Sequence, residues 1–469
     1  MTDENELYKL TAVEAVDLLR KRDVTPLELV EAAITRISET DDKMNALPIR
    51  LFEQAREAAA KWRGDRSDPR SLCGLPIAVK DYSDVEGALT TSGSPIFATH
   101  VAEKSDATVR QLEGNGAIVL AKSNVPEWAG GNTFNPVFGA TRNPWNLDLT
   151  VGGSSGGSAA ALASGQVWLA TGNDLGGSLR TPAAFCGVVG LRPSPGRVPR
   201  GGKWPRTDSL LIEGPMGRCV EDVALMLDAE AGQQNEDPLT FDKPKVLYSE
   251  AIKTSKGINR VAFSSNLGIV PMESEIAKVC QNAVGHFSDF GVDVTDEIPC
   301  FAGVLEAFQT QRAVLFANLM APILEEHREK IAPEIIQNIE KGIATTTEQI
   351  LSAERVKSRL YQSMMAFFET HDLLICPTTS IPPFPVEQRY VESIDGTKCE
   401  TYIDWFAITF ALTMTTLPTI SIPCGFTDSG LPVGLQIVGK PRGEVELLAA
   451  AKMIERAVGL VGKLPIDPR

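Results

Sequence analysis

The spacing of apolar positions along the chain changes period several times, and each change predicts an element. Across residues 11–63 apolar side chains recur every three or four places, and Leu29, Ala33 and Ile37 share one helical face, the stripe of a helix packed on one side. Thr25-Pro26-Leu27-Glu28 precedes it as a capping box with proline at the first helical position. Short continuous apolar runs then appear, Leu75-Pro76-Ile77-Ala78-Val79 and Ala117-Ile118-Val119-Leu120-Ala121, on either side of a helix expected at 106–113. Strand, helix, strand alternation predicts crossover units and a largely parallel sheet. Further on, the pattern predicts a helix at 220–229, a surface excursion rich in charge, Pro and Gly at 232–259, and a strand at 260–263. Helices are expected near 273–290, 302–330, 332–342 and 347–370, and a buried strand at 372–379 is cut off by Pro382-Pro383-Phe384-Pro385. A helix at 401–416, strands at 419–423 and 433–439 and a helix at 445–458 close the chain. The expected fold class is α/β, a central mixed, mostly parallel β-sheet covered by helices on both faces. We expect one domain over 1–469, with an N-terminal helical layer (1–65), a core half (about 70–230), a variable region (about 232–415) and C-terminal strands and helix (416–469).

Two glycine-serine loops break this pattern. They read Gly152-Gly153-Ser154-Ser155-Gly156-Gly157-Ser158 and Asp174-Leu175-Gly176-Gly177-Ser178-Leu179-Arg180, with Ala159-Ala160-Ala161-Leu162-Ala163 between them. Flexible linkers sit in polar surroundings, whereas these loops adjoin an alanine run and Val188-Val189-Gly190-Leu191. Glycine lets backbone approach a ligand closely, so successive N–H groups can converge on a phosphate or a reaction's oxyanion. A phosphate loop would close with Lys-Ser or Lys-Thr, and none follows here. Gly152-x-Ser154-x-Gly156 matches the elbow of serine hydrolases, whose triad needs an acid and a histidine downstream. The chain has four histidines, and His286, His327 and His371 fall in or beside expected helices. A histidine-dependent esterase using Ser154 is therefore one alternative. A serine without histidine needs another base, and burial can bring a lysine amine into the working range. Lys80 ends the apolar run Gly74-Leu75-Pro76-Ile77-Ala78-Val79, and Lys122 ends the next strand by the same logic.

Taken together, the Lys80 segment and the two loops resemble the amidase signature family. Gly139-Ala140-Thr141-Arg142-Asn143-Pro144-Trp145 and Ala184-Phe185-Cys186-Gly187-Val188-Val189-Gly190-Leu191-Arg192-Pro193 share the likeness, which is strongest over about 70–230. The resemblance selects Lys80 over Lys122 and implies the amidase signature fold. It implies Ser178 as the nucleophile that forms an acyl-enzyme, Ser154 as proton relay after a cis peptide at Gly153, and Lys80 as base. The oxyanion hole would be the N–H groups of Leu175, Gly176, Gly177 and Ser178, with Ser155, Asp174 and Arg180 in support. Trp128, Gly130 and Gly131 would flank the substrate. Asn173 departs from the family, which often has threonine there. The implied reaction is cleavage of a carboxamide to a carboxylate plus ammonia or an amine, on a small-molecule amide, with no cofactor or metal. A homodimer is the assembly common among relatives. The same motifs also fit the amidase-like component of a tRNA-dependent amidotransferase complex.

Composition narrows the partners. With 45 basic and 60 acidic residues the net charge of the 469-residue chain is −15, which argues against nucleic acid and anionic membrane as general partners. No apolar run reaches membrane-spanning length. The polar, acidic start is unlike a signal peptide, and eight scattered cysteines read as free thiols. A cytoplasmic enzyme is the expectation.

Overall fold

Eleven strands drawn from residues 49 to 438 hydrogen-bond into one sheet. The computed structural model describes residues 4–201, 207–254 and 257–469; residues 1–3 of the acidic start and 255–256 of the 232–259 stretch lie outside them. In chain order the strands are β1 (Ile49–Arg50), β2 (Pro76–Lys80), β3 (Ile118–Ser123), β4 (Leu169–Asp174), β5 (Val189–Arg192) and β6 (Ile212–Gly217). They continue as β7 (Arg260–Phe263), β8 (Asp293–Thr295), β9 (Leu373–Pro377), β10 (Thr419–Phe426) and β11 (Pro432–Val438). Across the sheet the order is β1-β3-β2-β4-β6-β5-β10-β11-β9-β7-β8. The sheet is mixed, as the pattern predicts. β3, β2 and β4 are parallel, as are β9, β7 and β8. Antiparallel pairs through β6, β5, β10 and β11 join the two groups.

The apolar runs explain the layering. All five residues of β2 are buried, as a strand covered on both faces requires. β9 shows the two faces directly. Leu373 and Ile375 pack with the helices Ser274–Asp289 and Glu444–Val458, whereas Leu374 and Cys376 pack with Val304–His327 and Ala407–Thr413, the two-residue alternation of a strand. The N-terminal layer is Ala12–Lys21, Pro26–Met44 and Phe52–Lys61. Its Leu29, Ala33 and Ile37 are fully buried, and Thr25 and Glu28 close the expected capping box.

Two expectations are corrected. The 232–259 stretch contains a helix, Tyr248–Thr254, whose Tyr248, Ala251 and Ile252 are buried. Its first N–H groups and the Ser249 hydroxyl donate to the Asp228 carboxylate, and the surrounding charge masks this short apolar stripe. The helix expected at 401–416 is only Ala407–Thr413, because Asp404 accepts the N–H groups of Glu400 and Thr401 and forms a turn instead. All eight cysteines are free. No helix of the described residues is long and apolar enough to cross a membrane.

The helix Gly156–Ser164 approaches the sheet through glycine. A Cβ on Gly157 would lie 2.4 Å from Asn124 N and 2.6 Å from Ala46 O, main-chain atoms that cannot swing aside. Gly157→Ala should therefore destabilise the fold by about 3 kcal/mol, the upper range for overpacking. Urea unfolding checks this, and an unchanged midpoint would mean that the end of β3 yields.

Candidate active site

Lys80 ends a strand that offers its side chain no route to water. It is fully buried, and its N–H donates to Thr171 Oγ1 at 2.9 Å, tying β2 to β4. Its amine lies 2.7 Å from each of Ser154 Oγ, Ser155 Oγ and Asn173 Oδ1, and 3.4 Å from the Asn173 carbonyl. Burial drives the amine's pKa down to about 7, against the opposing pull of Glu213 and Asp174. Lys122 has a different environment. Its Nζ is 2.8 Å from Asp81 Oδ1 and 2.6 Å from both the Leu89 carbonyl and Thr90 Oγ1. Three acceptors fill the three donors of an ammonium, so Lys122 holds loop to sheet.

The serine loops meet beside Lys80. The Gly153–Ser154 peptide is cis, as the resemblance implies, and Gly153 leaves room for the Gly131 carbonyl, which would sit 2.1 Å from a Cβ. The Ser155 N–H donates to the Ser178 carbonyl at 3.2 Å, a main-chain bond that joins the loops. Ser154 is buried, and Ser178 is the only residue of 171–180 that is partly open. Burial thus grades from Lys80 and Ser154 inside to Ser178 at the opening. A direct hydrogen bond between the Ser154 and Ser178 hydroxyls is not present among the described residues.

Asp174 and Arg180 brace the second loop. Arg180 Nε and Nη2 each lie 3.0 Å from the Asp174 carboxylate, and its remaining donors reach the Thr409 carbonyl, Gln436 Oε1 and Thr413 Oγ1. All five guanidinium N–H groups are used. Arg192 adds a second cation at 3.3 Å. Burial pushes the Asp174 carboxyl up, but these two guanidinium groups outweigh it and hold the pKa at about 2. The Gly177 N–H, one of the four expected oxyanion donors, donates to Asp174 Oδ1 at 2.8 Å. Among the described residues no hydrogen bond occupies the N–H groups of Leu175, Gly176 and Ser178.

Two residues beside Lys80 carry no assigned role from the sequence. Asn173 stands out there only as a departure from the family, yet its amide oxygen contacts the amine. Glu213 stands opposite Asn173 in the β4–β6 register; burial raises its carboxyl to about 7, while Lys80 opposes that rise. A lone carboxylate in Leu210-Leu211-Ile212-Glu213-Gly214 is the signal that could have found it. Of the expected substrate residues, Gly130 lines a cavity of about 620 Å³ with Pro126, Phe134, Ile331 and Ile335. Trp128 instead packs in the core, its ring 5.2 Å from that of Phe97. Buried His371 is held between Thr370 and Thr295, each at 2.9 Å, and the titratable group in contact with Ser154 is the Lys80 amine.

The amidase family model matches residues 28–448. The chain is 34% identical over 477 residues to an acylamidase of Rhodococcus erythropolis, covering 100% of this chain and 99% of that one. It is 34% identical over 488 residues to a glutamyl-tRNA(Gln) amidotransferase subunit of Moorella thermoacetica, covering 96% and 97%. Its fold matches the crystal structure of a bacterial aryl acylamidase of the amidase signature family with a TM-score of 0.87, at 28% identity over 96% of each chain. Fold and likeness together define an amide-hydrolysing enzyme. The chain belongs to the amidase signature family.

The Asp174 network makes a stability prediction. Asp174→Asn would leave Arg180 and Arg192 buried without a counter-charge, and should cost about 3–5 kcal/mol. Equilibrium denaturation measures it; a loss below about 1 kcal/mol would mean that the two guanidinium groups find other compensation.

Proposed function

We propose that this chain is an amidohydrolase that cleaves a carboxamide C–N bond through a Ser178 acyl-enzyme, with Ser154 as proton relay and Lys80 as base. The observation that carries this reading is the buried Lys80 amine, 2.7 Å from Ser154 Oγ and with its pKa at about 7. A neutral amine has two N–H donors and one lone pair. Asn173 Oδ1, which can only accept, takes one donor, and Ser155 Oγ takes the other. The lone pair then receives the Ser154 hydroxyl proton. Ser154 in turn takes the Ser178 proton as Ser178 Oγ bonds to the carbonyl carbon. The N–H groups of Leu175, Gly176 and Ser178 stabilise the resulting oxyanion, each worth about 3–4 kcal/mol. As the C–N bond breaks, the proton returns through Ser154 to the leaving nitrogen. Water then cleaves the acyl-enzyme by the same relay run again.

A second reading has its own support. The 34% identity to a glutamyl-tRNA(Gln) amidotransferase subunit favours the same chemistry inside a complex, where ammonia passes to a charged tRNA. The net charge of −15 weighs against direct contact with nucleic acid. Ammonia release by the purified chain alone, on a panel of aryl, alkyl and peptide amides, separates the two.

On a substrate from that panel, Ser178→Ala should lower kcat by about four orders of magnitude or more. A residual rate near wild type would move the nucleophile elsewhere. The base must be neutral to act, so kcat/KM should rise with pH up to about 7, where Lys80 loses its proton, and then level off. Lys80→Met should abolish the activity while leaving the melting transition in place. A rate that falls as pH rises from about 5 to about 7 would contradict Lys80 as base.

A further inference from the structure

The cavity beside Gly130 shares Pro333, Glu334 and Arg389 with a second cavity of about 870 Å³. Asn338 and Tyr402 line this second space, and behind them lies Arg312, only 3% exposed. Arg312 Nη1 donates to Asn338 Oδ1 at 2.9 Å and Nη2 to Tyr402 Oη at 2.5 Å. Its guanidinium sits over the rings of Phe316 and Tyr402, at 4.7 and 5.3 Å from their centroids. Among the described residues it forms no ion pair, in contrast to Arg180 and Arg192. A buried cation without a counter-ion is costly.

Asn338 adds a second, independent observation. The residue is 6% exposed, and its Nδ2 is buried without a hydrogen-bond partner. Turning the amide over would not help, because its NH2 would then face guanidinium donors. Tyr402 Oη already accepts from Arg312, so its hydroxyl proton is left to donate. Asn338 and Tyr402 stand between Arg312 and the cavity, and the cluster's unmet groups are donors, so it calls for a group that only accepts. Charge narrows the choice further. Lys341, Lys398 and Arg389 on the wall balance Glu334, Glu392 and Glu400, and Arg312 leaves one positive charge over. That suits a monoanionic carboxylate better than a phosphate dianion. Phe308, four residues before Arg312 in Val304–His327, lies 3.0 Å from a Cβ position on Gly176. Arg312 is thus about 6 Å further along the helix axis from the catalytic loop.

We propose that Arg312, with Asn338 and Tyr402, recognises a carboxylate carried by the amide substrate at a distance from the scissile bond. This rests on the amidohydrolase reading above and adds the substrate class: ω-carboxylated linear amides.

The test compares hexanamide with adipamate and its shorter and longer homologues, succinamate and pimelamate. Wild type should favour one carboxylated amide over hexanamide by about tenfold or more in kcat/KM, the size of a lost charge-assisted hydrogen bond. Arg312→Met should cancel that preference through KM and leave hexanamide turnover unchanged, with Tyr402→Phe showing a smaller loss. Equal kcat/KM on the charged and neutral amides, or equal losses on both in the variant, overturns the proposal. Binding is read separately by calorimetry of adipamate on Ser178→Ala, with and without Asn338→Leu or Arg312→Met, so that one variant's failure to fold does not decide the matter. About tenfold weaker binding in the double variants supports the site; unchanged or undetectable binding throughout rejects it. If that difference is seen while wild type hydrolyses none of the amides, the amidohydrolase reading fails and the carboxylate site stands.

Discussion

The rest of the structure depends on the removal of water from one amine. A lysine ammonium in water is stable to about pH 10.4, and Lys80 comes down to about 7 because burial leaves its charged form without solvent. The walls that exclude water are the apolar strand β2, the glycine-tight start of Gly156–Ser164 and the end of β4. Two carboxyls, Glu213 and Asp174, work against the shift. Asp174 is itself paired with Arg180 and Arg192, and burial outweighs the pull of both carboxyls on Lys80.

Topology brings these groups together. β2 and β4 are adjacent and parallel, with Ala78 level with Ala170, so their C-terminal ends emerge at the same edge and their following loops meet there. This is the usual position of a site in a sheet with parallel strands. Lys80 is thereby set level with Gly172, next to Asn173, while the Ser155 N–H clasps the Ser178 carbonyl from the other loop. Side chains at Gly153 or Gly157 would drive these main-chain segments apart, which is the physical reason the loops are glycine-rich at those points.

What could be read from the chain follows from the range of each interaction. Local rules are written in consecutive residues, so the capping box at Thr25, the apolar strand ending in Lys80 and the two glycine loops were legible. The β4–β6 register was not, and it alone places Glu213 opposite Asn173. Nor could the chain show that Asp174 takes the Gly177 N–H, because that depends on how Arg180 and Arg192 orient the carboxylate in the folded loop. Trp128 was expected beside Gly130 and Gly131 against the substrate, yet its ring packs in the core while Gly130 lines the cavity. The short helix at Tyr248 was hidden because its apolar stripe is one turn long and flanked by charge.

Partner counts distinguish the buried charges of this molecule from one another. Lys122 has three acceptors for three donors, and Arg180 has five for five, so neither has anything left to offer a substrate. Lys80 touches two serine hydroxyls and an amide oxygen, none of them charged, and its pKa of about 7 leaves its charge variable near neutral pH. Arg312 has two neutral partners and an unsatisfied amide at its side, on the wall of a cavity. All four are lysines or arginines on elements with apolar neighbours, and in sequence they look alike. What separates a brace from a site is how many of its donors the folded chain itself can satisfy, and that number is set by elements far apart in sequence.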